Sequence, residues 1–164
     1  MNSGPALAQD TGTVLLGIEG VRVTGAEREA DGRLTVWAEV TAPAACPQCG
    51  TPSGRVHEVV VTRPRDVRAC GQVIGLFLVK RRLECPDRDC PQGTFTEWVP
   101  QVPPRCTVTR RLLDQAGDEI ADWGITPAGA ARHAGISWPS AYGAFAARAD
   151  GVLENKPAPV ARLG

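Results

Sequence analysis

Cys46-Pro47-Gln48-Cys49 and Cys85-Pro86-Asp87-Arg88-Asp89-Cys90 decide the reading of this chain, because thiols clustered as two close pairs converge readily on one tetrahedral metal ion. The first pair is a C-x-x-C turn, which offers two ligands from one tight reversal, and Gly50 behind it can take the positive φ that such turns favour. The second pair closes a looser loop that stays within ligand spacing. Pro47 and Pro86 follow the first cysteine of each pair, fixing φ and stiffening both loops before metal arrives. A shell of four thiolates leaves no open position for water, so Cys46, Cys49, Cys85 and Cys90 are expected to hold a structural Zn2+ and not a catalytic one. Two other readings stand beside this one. Persistent disulfides need export, and the opening Met1-Asn2-Ser3-Gly4-Pro5 has neither a basic nor an apolar signal region. A redox C-x-x-C normally opens a helix in a βαβ unit, whereas this one follows a strand-like run and has a second pair for company. His57 is an alternative ligand in place of one thiol, while Cys70, in a turn with Gly71, and Cys106, ahead of a helix, are given ordinary small-residue roles.

The length of 164 residues allows one ordinary domain or two small ones, and with only 5% aromatic residues neither core is large. Small cores lean on staples such as a metal, which agrees with the cysteines. The longest apolar runs, such as Val73 to Val79, are far short of a membrane span, so a soluble, cytoplasmic chain with no membrane partner and no small-molecule substrate is expected. Formal net charge is zero, but residues 1–54 carry −3, residues 113–164 carry −2, and the middle segment 55–112 carries +5. The bases of that segment cluster as Arg63, Arg65 and Arg68, then Lys80, Arg81 and Arg82, then Arg105, Arg110 and Arg111. Any one cluster reads equally as a solvated loop; several of them flanking a metal site suggest a surface that faces phosphates.

The expected fold class is α+β, a small β-rich zinc-ribbon domain followed by a three-helix helix-turn-helix domain. Residues 1–13 are expected to be disordered, 14–102 to form the hairpin and ribbon, 105–152 the helical domain, and 153–164 a linker. Strand character begins at Val14; Leu34, Val36, Ala38 and Val40 then alternate with polar residues after a turn at Ala30-Asp31-Gly32, predicting a hairpin. Two further strands are expected over Val56 to Thr62 and Gln72 to Leu83, with a short edge strand over Thr94 to Val99. Prolines 100, 103 and 104 then break the pattern, and the period becomes helical, with Val108, Leu112, Ala116 and Ile120 on one face and Gly124 as the stop. Thr126-Pro127 opens a second helix that Gly135 ends, and Ser137 caps a third that runs to about Asp150, with Gly151 as its stop. A glycine between two short alanine-rich helices fits a helix-turn-helix, and equally any helical hairpin. On that reading Ser137, Trp138, Ser140 and Tyr142 face outward from the recognition helix, and Arg132 and His133 contact phosphate.

Taken in order, Cys46-Pro47-Gln48-Cys49-Gly50, Arg55-Val56-His57, Arg65-Asp66-Val67, Arg81-Arg82-Leu83-Glu84-Cys85, Cys90, Thr94-Phe95-Thr96-Glu97 and Ala131-Arg132-His133-Ala134-Gly135-Ile136-Ser137-Trp138 resemble the N-terminal region of transposases of the ISL-three insertion-sequence family. The resemblance implies a zinc ribbon and a helix-turn-helix that bind the element's terminal inverted repeats, ahead of an RNase H-like catalytic domain with three metal-binding carboxylates. It places the zinc ligands on Cys46, Cys49, Cys85 and Cys90; Cys70 departs from the family pattern. The sequence given stops about where the first catalytic strand would begin, so a DNA-binding fragment without catalytic residues is expected, its partner double-stranded transposon-end DNA and a homodimer also allowed. The rival expectation is a protein-interaction or self-association adaptor, favoured by zero net charge and by a third helix poor in base-reading side chains.

Overall fold

The computed structural model describes residues 11–69 and 71–154, and the chain divides into two compact units, Met1–Arg110 and Arg111–Gly164. It is α+β, with a five-stranded sheet in the first unit and helices dominating the second.

In the first unit α1 (Thr11–Leu16) precedes β1 (Val21–Arg28) and β2 (Leu34–Val40), which pair antiparallel through the expected turn, where Gly32 sits at φ 85. The segment from Val14 was expected to be strand. It is helix instead because only Leu16 of α1 is buried, and the amide of Gly17 bonds back to the Thr13 carbonyl at 3.1 Å, closing a helical turn. The remainder of the stretch expected to be disordered lies outside the described residues.

Next come β3 (Val56–Thr62), β4 (Ile74–Glu84) and β5 (Thr94–Thr96). The strand order is β1-β2-β4-β3, with β4 antiparallel to β3 and parallel to β2. Because β3 occupies one edge of β4 as far as Leu83, β5 pairs with the other edge over Arg82 to Glu84, in line beyond β2. The parallel register sets Val36 opposite Leu76 and Ala38 opposite Leu78, so that even-numbered side chains of both strands share one face. That face is the main core, closed by Val21, Val23, Ile18, Val99 and Val102. The burial phase of β4 then changes: Ile74, Leu76, Leu78 and Lys80 are buried, and the next buried residue is Leu83, which joins Phe95 and Cys46 in a second, smaller cluster. The expected edge strand over Thr94 to Val99 ends at Thr96, and Val99 bridges Val102 across Pro100 and Gln101 instead.

The second unit contains α2 (Arg110–Ala121), whose first residue belongs to the first unit, with α3 (Pro127–Ala134) and α4 (Trp138–Glu154). The Thr126 hydroxyl accepts the Gly129 amide at 3.1 Å, and Pro127 occupies the first turn. Gly135 ends α3 in the left-handed region at φ 65, which lets the Ile136 amide reach the Ala131 carbonyl at 3.0 Å. Ser137 caps α4 by accepting the Ser140 amide at 3.3 Å. The helix does not stop at Gly151 as expected. It continues to Glu154, since a glycine that keeps helical backbone only weakens a helix and does not end it. Among the described residues of this unit Leu112, Ala116, Ala130, Ala131 and Ala141 are buried, and the small alanines set close helix spacing. An added Cβ on Gly117 would meet the Ala144 carbonyl oxygen at 3.0 Å, so α2 and α4 touch through backbone there. No helix among the described residues is long and apolar enough to cross a membrane.

Candidate metal centre

The residues between β2 and β3 form the first knuckle. The Cys46 amide donates to the Thr51 carbonyl at 2.9 Å and the Gly50 amide returns to the Cys46 carbonyl at 2.8 Å, a reversal completed by Gly50 at φ 74. The second knuckle follows directly from β4: Cys85 donates its amide to the Gly93 carbonyl at 2.7 Å, and Cys90 donates to Asp87 at 3.3 Å. The Ser53 hydroxyl donates to the Glu84 carbonyl at 2.7 Å and ties the two loops together. Beneath them Leu83 and Phe95 pack on Cys46, which is buried, so the strand pairing of β4 with β5 fixes where the thiols meet.

All four Sγ atoms lie within 4.8 Å of one another, with Cys46 to Cys90 at 3.8 Å and Cys49 to Cys85 at 3.6 Å. A tetrahedron of sulfurs about 2.3 Å from a central Zn2+ has edges of about 3.8 Å. The donor set therefore fits a structural Zn2+ in both chemistry and spacing, and four thiolates close its coordination. The thiols are already differentiated. Hydrogen bonding with Thr51, whose hydroxyl lies 3.2 Å from the Cys49 sulfur and whose backbone is beside it, favours the thiolate and holds Cys49 down to about 6, while loss of hydration pushes Cys85 up to about 12. At Cys90 the Gln92 backbone acts downward, but desolvation and the neighbouring Cys46 and Cys49 prevail and raise it. His57 stands apart from this cluster, its Nδ1 3.7 Å from a Glu84 carboxylate oxygen. Cys106 is also outside it, and Cys70 lies outside the described residues.

The basic residues are not one surface. Arg63, Arg65 and Arg68 are exposed on the segment after β3; Arg63 stacks over the Phe77 ring at 4.5 Å, and the Arg68 guanidinium donates to the Gly71 carbonyl at 3.3 Å. That segment is pinned by residues 107–109, where the Arg65 amide donates to the Thr107 carbonyl and the Thr109 amide to the Arg65 carbonyl, each at 2.9 Å. Lys80 does not stand with them. It falls on the inward phase of β4, is 1% exposed, and donates its ammonium to the Val102 carbonyl, so it cannot reach a phosphate. Burial lowers its pKa, while the nearby Cys106 and Glu97 pull the other way. Arg81 is committed to Glu97, a carboxylate 1% exposed, which accepts the Arg81 backbone amide at 2.7 Å, its Nε at 2.8 Å and a terminal guanidinium nitrogen. This bond raises the Arg81 pKa. Arg82 is exposed but paired with Glu58 at 3.0 Å. Arg110 is exposed and Arg111 half-buried.

In the second unit Arg132 is exposed, and the buried Glu119 carboxylate lies 3.0 Å from His133 Nδ1 and accepts from the Gln115 amide at 2.9 Å. Ser137 and Ser140 share a hydroxyl bond of 2.7 Å, and the exposed Trp138 and Tyr142 rings stack at 5.2 Å on α4. Charge clustering in the sequence could not have shown Glu97 or the burial of Lys80. Strand alternation could, since Lys80 continues the phase of Leu76 and Leu78 and Glu97 that of Phe95.

Residues 42–90 match a family described as the zinc finger of transposase IS204/IS1001/IS1096/IS1165, under a third of the chain and a span that includes all four clustered cysteines. No curated protein and no solved structure matches the chain.

Proposed function

We propose that this chain is a zinc-stabilised, double-stranded DNA-binding module of a transposase, reading transposon-end inverted repeats and having no catalytic chemistry of its own. The observation that carries the reading is the match of residues 42–90 to a transposase zinc finger, centred on a four-thiolate site that is closed to water and substrate. Arg63, Arg65 and Arg68, exposed on a backbone segment held by residues 107–109, supply the salt-sensitive part of affinity. In the second unit α3 and α4, joined through residues 135–137, act as a helix-turn-helix. Arg132 would position the phosphate backbone, and Trp138 and Tyr142 would offer apolar contact to base edges. Lys80 and Arg81 have no part in it.

The test is duplex binding over a salt series, with an inverted-repeat end against a random duplex. Replacing Arg63, Arg65 and Arg68 together by Ala should flatten the log–log salt slope by up to about 2.7, at about 0.9 for each phosphate no longer neutralised. Absence of any binding at low salt, or an unchanged slope, would overturn the assignment.

One observation favours a second reading, self-association. Val56, Val59 and Val61 are 49%, 61% and 53% exposed on β3, an edge of the sheet. A concentration-dependent dimer that Val59→Lys abolishes would support it, and a monomer at all concentrations would remove it.

A further inference from the structure

Arg105 is the one non-glycine residue with positive φ among the described residues, at 65°. Its turn explains the angle: the Cys106 amide donates to the Pro103 carbonyl at 3.2 Å, Pro104 holds the second corner, and Arg105 takes the third, the place that such a turn gives to glycine. Glycine would sit there without strain, so the backbone gives no reason for an arginine and its guanidinium is what the residue adds. That guanidinium is exposed and has no hydrogen bond or ion pair among the described residues, whereas Arg22, Arg33, Arg55, Arg81, Arg82 and Arg148 all hold carboxylates.

Arg105 lines an open groove of about 1010 Å3 in the first unit, and Trp98, 54% exposed, lines the same groove. The acidic residue in its wall, Glu97, is consumed by Arg81, so the unspent charge of the groove is positive. The volume is at the top of the range for small-ligand pockets, about 300–1,000 Å3, and suits a strand segment better than a compact metabolite. An exposed indole and an unpaired cation lining one groove are the combination that holds unpaired nucleotides, base on ring and phosphate on guanidinium.

We infer that this groove receives an unpaired stretch of one DNA strand, with a base stacked on Trp98 and its phosphate on Arg105. The inference rests on the DNA-binding reading above and adds a strand-separated end to the duplex contacts.

The test uses the zinc-loaded full chain and two probes of one sequence, a blunt duplex and the same duplex with a short single-stranded thymine overhang. The wild-type chain should bind the overhang probe about tenfold more tightly, the scale of a single base stacked on an aromatic ring. Arg105→Gly and Trp98→Ala should each bring the ratio of the two affinities toward one. Arg105→Gly should also raise the melting temperature, because it removes the left-handed strain, while Arg105→Lys should keep part of the preference without that rise. A wild-type ratio near one with measurable duplex binding, or a ratio untouched by Arg105→Gly, would overturn this inference and leave the duplex reading standing. Failure to bind either probe would overturn both.

Discussion

Replacing Arg81 by Ala should destabilise the first unit by about 3–5 kcal/mol. Glu97 is 1% exposed, and of its three bonds from Arg81 only the backbone amide at 2.7 Å survives the substitution. Stranding a buried charge by removing its partner costs about 3–5 kcal/mol. Urea unfolding followed by tryptophan fluorescence, run on wild type, Arg81→Ala and Arg81→Ala/Glu97→Gln, gives the cost directly. The double variant should recover more than half the loss, since it leaves no buried charge. A penalty for Arg81→Ala below about 1 kcal/mol would show that the pair is an exposed bridge of little worth.

Gly117→Ala should lower the stability of the second unit by up to about 2 kcal/mol in thermal unfolding. The new Cβ would stand 3.0 Å from the Ala144 carbonyl oxygen, an overpacking cost of about 1–3 kcal/mol against about 1 kcal/mol of helix propensity gained, and stabilisation would contradict the close approach of α2 and α4. Lys80→Met should flatten the alkaline stability profile. With its folded pKa below the ordinary 10.5, wild-type Lys80 binds fewer protons folded than unfolded, so wild-type stability rises with pH up to about 10.5 relative to the variant, and parallel profiles would refute the burial argument.

The parts of the fold written in local chemistry were readable from the sequence. The β1–β2 turn, the β3–β4 pairing, the Thr126-Pro127 cap and the Gly135 stop each depend on a few neighbouring residues, and the spacing within each cysteine pair marks it as a ligand pair, which strand pairing then brings together. What escaped depends on packing between residues distant in sequence. The short α1 looks like a strand because Val14, Leu15 and Leu16 are apolar, and only packing on the sheet leaves the first two exposed. The parallel pairing of β2 with β4 has no signature in either strand. Lys80, Arg81 and Arg82 read as one basic patch, yet one is buried against a carbonyl, one is bound to a buried glutamate and one is paired at the surface. The strain at Arg105 was hidden because prolines 103 and 104 mark a turn without showing which residue takes its third corner.

A single zinc ion held by sulfur alone is the centre on which the first unit is built. X-ray absorption at the zinc edge of the purified chain should find one equivalent of metal with four sulfur neighbours at about 2.3 Å, supplied by Cys46, Cys49, Cys85 and Cys90. A shell containing nitrogen or oxygen, or a folded protein that carries no zinc, would contradict it.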